Sequence, residues 1–421
     1  MNIVTKLFSA IIITVLVGSC SKNNEELYLG AWRGEFFLED KIVPFNFEVA
    51  KSDKARPRVF LINGNERAQL DSIYYRADSV VINIDIYDAL LVGRVENDVV
   101  KGFFRKNQSG KQGIPFTAKR GDTFRFDVQD PSSAKQIGGK WSVQLISEKD
   151  GKETSRYTVG LFDQKDDKVT GTILTTTGDY RFLEGVVDGS ELKLSAFSGS
   201  NPTLIEAQLT DSLHLTGEFI SPGGKVKLVA VKSDTASLPD AYSLTYLKDG
   251  ADRFSFSFPD LDGKLVSLQD EKYKGKVVVL TILGSWCPNC VDEAAFLGPW
   301  YKENKDRGVE VVGLSFERKD DIEFAKKRLG VFIKRFDVQY DILFGGIADK
   351  KIVAEKLPEL NTFLSFPTTF FIDKTGKVRK VHTGYDGPAT GEYFEKFKEE
   401  FNQEVNKLVD EPLVVASNKI K

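Results

Sequence analysis

Two cysteines three positions apart, Cys287 and Cys290, stand in the stretch GSWCPNCVDE (284–293) of a 421-residue chain with only three cysteines. Three chemistries use such a pair. A structural zinc needs four ligands, but the chain offers only two histidines, His214 and His382, and a third cysteine, Cys20, near the N-terminus. A purely structural disulfide across two residues closes so small a loop that its effect on the unfolded chain is slight. The third use is a redox dithiol, in which one thiolate attacks a disulfide and the other resolves the mixed disulfide. That use needs no metal or cofactor beyond the Cys287–Cys290 pair, and it is the one expected here.

The flanks say how the pair is held. KGKVVVLTIL before it is apolar and β-branched, and EAAFLGPWYKENKD after it reads as a helix, so the pair sits at a strand-to-helix turn. Cys287 is expected at the N-cap, with Pro288 at the first helical position, where its missing N–H costs nothing. The amides of Asn289 and Cys290 then point at the Cys287 sulfur and, with the helix dipole, favour thiolate. Cys290, one turn in and more covered, can expel a reduced substrate. Trp286 is expected to flank the sulfur, as a solvent screen or an apolar platform.

The rest of the chain places this site. The formal charge of −3 carries no nucleic-acid footprint. Residues 8–17 (FSAIIITVLV) form an apolar run too short to span a bilayer and suited to the core of an export signal. The VGSC that follows resembles a bacterial lipobox, which implies a signal over residues 1–20 and lipidation of Cys20, with SKNNEE as a polar tether and the lipid as anchor. The expected location is the periplasmic side of the cell envelope. Ser21, where an inner-membrane retention signal often has Asp, points to the outer membrane.

From residue 27 to 232 the text alternates in strand fashion and repeats itself. GAWRGEFFLED matches GKWSVQLISEKDG, NGNERAQLD matches TGDYRFLEG, and VENDVVKGFF matches LTDSLHLTGEF, in the same order at nearly constant offset. Two antiparallel β-modules are expected, 27–126 and 137–232, forming a sandwich or barrel. Their tryptophans, Trp32 and Trp141, are expected as core anchors. From about 251 to 410 strands alternate with helices, which predicts a mixed sheet covered on both faces. The fold class is therefore multidomain: an all-β tandem repeat followed by an α/β domain.

WCPNC after a buried strand, followed by FPTTFFIDKTGKV, resembles the thioredoxin superfamily. With the preceding FPDLDGKLVSL it is most similar to the exported TlpA/ResA-like thiol–disulfide oxidoreductases. The resemblance covers the C-terminal domain and leaves out the β-modules. It implies Cys287 as attacking cysteine, Cys290 as resolving cysteine and Pro367 as a cis-proline facing the dithiol. It also implies that Phe366 offers its backbone to an extended substrate. Thioredoxin carries a buried Asp where this chain has Thr281, and the ResA-like branch carries a glutamate at Glu293, implying a proton acceptor for Cys290. Asp292 is expected on the solvated surface, and His382 in a structural role. The activity implied is reduction of disulfides in other exported proteins, fed by a membrane or periplasmic electron donor. Two other readings stay open. One is a thiol peroxidase. The other is a polypeptide- or glycan-binding β-module protein that keeps the dithiol domain as a scaffold. In the combined reading the β-modules are a spacer or docking unit that positions the oxidoreductase above the membrane.

Overall fold

A computed structural model describes residues 27–52, 56–70, 72–76, 79–107 and 112–413. Cys20 and the rest of the expected export signal lie outside the described residues. No helix among the described residues is long and apolar enough to cross a membrane.

The two β-modules are copies built on one strand order. In each, the first strand pairs antiparallel with both the second and the last: Gly30–Leu38 with Lys41–Ala50 and Ile114–Arg120, and Gly139–Lys149 with Lys152–Lys165 and Gly224–Lys232. Trp32 and Trp141 occupy equivalent places in these first strands and are fully buried. Each indole N–H donates to the carbonyl four residues back, Tyr28 and Ile137. A buried indole must place its one donor, and both copies solve this in the same way.

The copies differ in closure. In the second, Lys168–Thr175 pairs with Lys152–Lys165 on one side and Leu183–Asp188 on the other, so the sheet closes on itself as a barrel, with Gly178–Asp179 added at its rim. Closure removes the edge strands that an antiparallel sheet must otherwise protect. In the first, the corresponding strands Arg58–Asn63 and Ser72–Arg76 do not pair among the described residues, leaving a curved half-barrel. Of the two packings the pattern allows, barrel curvature is the one formed. The open side of the half-barrel is filled by its sister. Phe197 of the second module inserts among Phe36, Phe45 and Phe104 at centroid distances of 4.7, 5.3 and 5.1 Å, and its backbone is bracketed by Asn63.

The C-terminal domain holds a five-stranded sheet in the order Asp341–Ile347, Val309–Glu317, Val277–Leu283, Thr368–Ile372, Val378–Thr383. The first three strands run parallel and the last two antiparallel to their neighbours. Helices Pro288–Asn304 and Ile322–Phe336 and the C-terminal Glu392–Asp410 cover it. All seven residues of the central strand Val277–Leu283 are buried, as a strand covered on both faces requires. All nine residues of Val309–Glu317 are buried, including the terminal Glu317, which is held by serine hydroxyls (below).

Candidate active site

The central strand delivers the chain to Gly284, where a side chain would collide: a β-carbon there would lie 2.4 Å from the Trp286 ring nitrogen and 2.9 Å from the Phe316 carbonyl. Glycine is therefore required by close approach. The turn is braced from below by Glu317, 1 % exposed, which accepts from the Ser285 N–H (2.9 Å), Ser285 Oγ (2.7 Å) and Ser315 Oγ (2.7 Å). Burial pushes its carboxyl above the usual range. Nothing local in the sequence marks this brace, since Glu317 lies 32 residues from the Ser285 it holds.

Cys287 is the N-cap of helix Pro288–Asn304 and its sulfur accepts from the Cys290 N–H at 3.4 Å. The Cys287 thiol in turn donates to the Phe366 carbonyl at 3.4 Å, and the Phe366–Pro367 peptide is cis. Both thiols are free and buried, Cys287 5 % and Cys290 1 % exposed. Burial, a hydrogen bond to Cys287 and the nearby charges of Cys287 and Glu293 hold the Cys290 thiol well above its ordinary value. The Trp286 ring is held in place: its N–H donates to Phe316 O at 3.0 Å, its ring meets Phe366 edge-on, and the Arg318 guanidinium lies over it.

Glu293 lies three residues past Cys290 on helix Pro288–Asn304 and is 3 % exposed. Its two oxygens accept from Thr281 Oγ1 and Thr369 Oγ1, each at 2.6 Å. Burial raises its pKa to about 7, against the two hydroxyls, which lower it. Thr281, which stands where thioredoxin has its acid, thus serves the acid that this chain places one element away. Thr369, from the Pro-Thr-Thr segment, is the second positioning hydroxyl and went unassigned in the sequence. The hydroxyls bond best to the ionised carboxylate, so Thr281→Val is expected to raise the Glu293 pKa further. Denaturation at two pH values checks this: the loss of stability should be larger at pH 8 than at pH 6, on the order of 1–3 kcal/mol at the higher pH.

Asp292 departs from its expected solvated position. Its carboxylate is 12 % exposed and pairs with Arg181 of the second β-module at 2.6 Å, and Arg181 reaches Glu66 of the first at 2.5 Å. Burial raises Asp292 to about 7, opposed by Arg181. Helical spacing does point it away from Glu293, and that direction is the seam with the β-modules. The same contacts show that the second β-module packs against the C-terminal domain beside the dithiol turn. His382 is buried as a structural side chain. Its Nδ1 meets Gly384 O at 3.0 Å, and burial lowers its pKa to about 4. His214 is solvent-exposed beside Asp211, far from a ligand role.

Comparison with known proteins places this geometry. The AhpC/TSA family profile matches residues 250–381. The thiol-disulfide oxidoreductase ResA of Bacillus thuringiensis is 33 % identical over 129 residues, covering 31 % of this chain and 66 % of that protein. The chain thus spans just under two thirds of that relative. ResA of Bacillus subtilis is 30 % identical over 138 residues, covering 33 % of this chain and 69 % of that protein. A thiol-disulfide oxidoreductase structure from Bacteroides fragilis aligns over 36 % of this chain and 99 % of its own length, at 23 % identity and a TM-score of 0.27. The stretch matched by the family profile lies in the C-terminal domain, and the β-modules lie outside it. Through that domain the chain belongs to the ResA-like thiol–disulfide oxidoreductases of the thioredoxin superfamily.

Proposed function

We propose that the chain is an exported, lipid-anchored thiol–disulfide oxidoreductase that reduces disulfides in other exported proteins. The observation that carries this reading is the Cys287 sulfur at a helix N-terminus, hydrogen-bonded by the Cys290 amide, with a buried carboxyl three residues past the second thiol. A backbone N–H aimed at sulfur stabilises the thiolate that does the attack. Cys287 as thiolate displaces one sulfur of a substrate disulfide, forming a Cys287–substrate disulfide, and the departing thiolate takes a proton from solvent. Cys290 passes its proton to Glu293 and attacks the Cys287 sulfur. The Cys287–Cys290 disulfide forms and the second substrate thiolate leaves and is protonated. The substrate gains two electrons and two protons, and an external dithiol donor restores the pair. Phe366 and Pro367 would line the substrate, with Trp286 as an apolar wall. Lipidation at Cys20 would tether the whole at the periplasmic side of the envelope, the outer membrane being favoured by Ser21.

The test uses the full chain carrying Cys290→Ala. It is expected to accumulate a thiol-reducible adduct with protein substrates, while wild type reduces insulin without accumulating one. A Cys290→Ala chain that traps no adduct, together with a wild type that reduces no insulin under reducing conditions, would defeat the reading. Peroxide consumption that survives Cys290→Ser would favour a thiol peroxidase instead.

A further inference from the structure

We propose that the β-modules are part of the dithiol site. The 175–179 loop of the second module occupies the groove a substrate segment must enter, so the full chain rests capped and reacts when that loop lifts. The proposal rests on the dithiol reading above and adds the control of access to it.

Three loops of the C-terminal domain meet at the site: the CPNC turn and the segment before Pro367, which hold the Cys287 sulfur between them, and the turn after Val378–Thr383, whose Gly384 N–H donates to the Pro367 carbonyl at 3.0 Å. The 175–179 loop engages all three. Gly178 lies so close to the CPNC turn that a β-carbon on it would fall 1.9 Å from Asn289 Nδ2. Ser365, two residues before Pro367, donates its hydroxyl to the Thr177 carbonyl at 3.1 Å. Gly384, with φ +83°, passes beneath the loop, its β-carbon position 2.9 Å from the Thr177 carbonyl carbon. Asp179 accepts the Gly387 N–H at 2.9 Å. An extended segment presented to Cys287 along the Pro367 segment would need this space, and Cys287 is 5 % exposed with the loop in place.

The seating is latched by one cation. Arg181, just past the loop and itself in the left-handed region at φ +58°, bridges Glu66 and Asp292, so all three domains meet on its guanidinium. Asp179 adds a third carboxylate: it accepts the Arg181 backbone N–H at 2.5 Å. The half-barrel braces the same seam from the other side. Arg328, from helix Ile322–Phe336, donates to the Asp85 and Ile86 carbonyls at 2.7 and 2.9 Å.

The seam is also poorly satisfied, which marks it as one that can open. Arg181 Nε, Asn289 Oδ1, Thr383 Oγ1 and Tyr385 Oη are buried there with no hydrogen-bond partner. Opening would hydrate all four, and buried polar atoms left unpaired oppose the closed state. Beside the loop a cavity of about 350 Å³, lined by Thr175, Thr177, Arg181, Asn201, Pro288 and Asn289, leaves space between the loop and the CPNC turn.

The experiment measures N-ethylmaleimide labelling of Cys287 in the reduced full chain, together with insulin reduction. Arg181→Ala removes the latch, and Gly178→Ala wedges the loop off Asn289. Either variant, judged folded by its near-ultraviolet circular dichroism, is expected to label and to reduce insulin about tenfold faster, as an increase in the open population predicts. The gain should be smaller for a small disulfide such as cystamine. Wild-type labelling as fast as in the urea-denatured chain would overturn the cap, as would folded variants that label no faster than wild type. The dithiol reading fails separately: variants whose Cys287 becomes reactive but reduce no disulfide keep the cap and sink the chemistry.

Discussion

Glu293→Gln is expected to slow turnover about a hundredfold while making the protein more stable in mild alkali. Both effects follow from one buried carboxyl. The Cys290 thiol is held above its ordinary pKa by burial and by its neighbours' charge, so it does not ionise unaided near neutrality. Glu293, at about 7, becomes a carboxylate in the range where the protein would work, and its charge reaches the Cys290 thiol; the proposed role is to take that thiol's proton. General-base assistance of this kind contributes about 10²–10⁴. Wild-type turnover should therefore rise with pH through about 7, and the Gln variant should lose that limb. The stability effect has the opposite direction. The folded protein keeps the Glu293 proton up to about pH 7, whereas an unfolded glutamate releases it near the ordinary value of 4.5. Between those values the unfolded state binds fewer protons, so wild-type stability falls as pH rises, by about 3 kcal/mol in all. Glutamine carries no such charge. Urea denaturation from pH 5 to 8.5 should show the variant gaining on wild type as pH increases. A variant with wild-type turnover and an intact limb at pH 7 would remove Glu293 from the mechanism.

What the sequence disclosed of this site is what is local. Cys287, Pro288 and Cys290 sit together in one turn, and the buried strand before them and the helix after them follow from apolar runs of the right length. Glu293 is legible because it lies one helical turn past Cys290. The acceptors and donors that tune it are not, because Thr281 and Thr369 come from two different strands and only the sheet brings them to one carboxylate. Asp292 shows the limit more sharply. Helical spacing sends it away from Glu293 correctly, and nothing in the helix says that this direction faces Arg181 rather than water. The β-repeat was readable through Trp32 and Trp141, which hold the same position and the same hydrogen bond in each copy. Which copy closes was not, because both copies have the two neighbouring strands, and among the described residues only Lys168–Thr175 and Leu183–Asp188 pair across the short excursion between them.

Phe197→Ala is expected to cost about 3–5 kcal/mol, the range for removing a fully buried aromatic ring, although the residue belongs to neither core by sequence. It follows the strand Glu191–Ala196 of the closed barrel but lies 1 % exposed within the aromatic cluster of the half-barrel. Its backbone exchanges two hydrogen bonds with Asn63, at 3.1 Å each. Among the described residues the half-barrel does not form the strand pairing that closes its sister, so this borrowed ring supplies apolar filling that its own module does not. The loss should fall unevenly. The second barrel keeps its ring of strands and its own buried cluster around Trp141, whereas the first loses the wedge on which its open side rests. Hydrogen exchange should therefore accelerate at Arg58–Asn63 and Ser79–Ile84, and much less at Gly224–Lys232. Trp141→Ala is the control, with a loss of similar size that should fall on the second barrel. Because Arg181 and the 175–179 loop are carried by the barrel that Phe197 pins to the half-barrel, Phe197→Ala should also loosen the Glu66 contact and speed Cys287 labelling. Trp141→Ala, if it left the barrel folded, should not. Equal protection loss in both modules would show that they share one core and that Phe197 is not the joint.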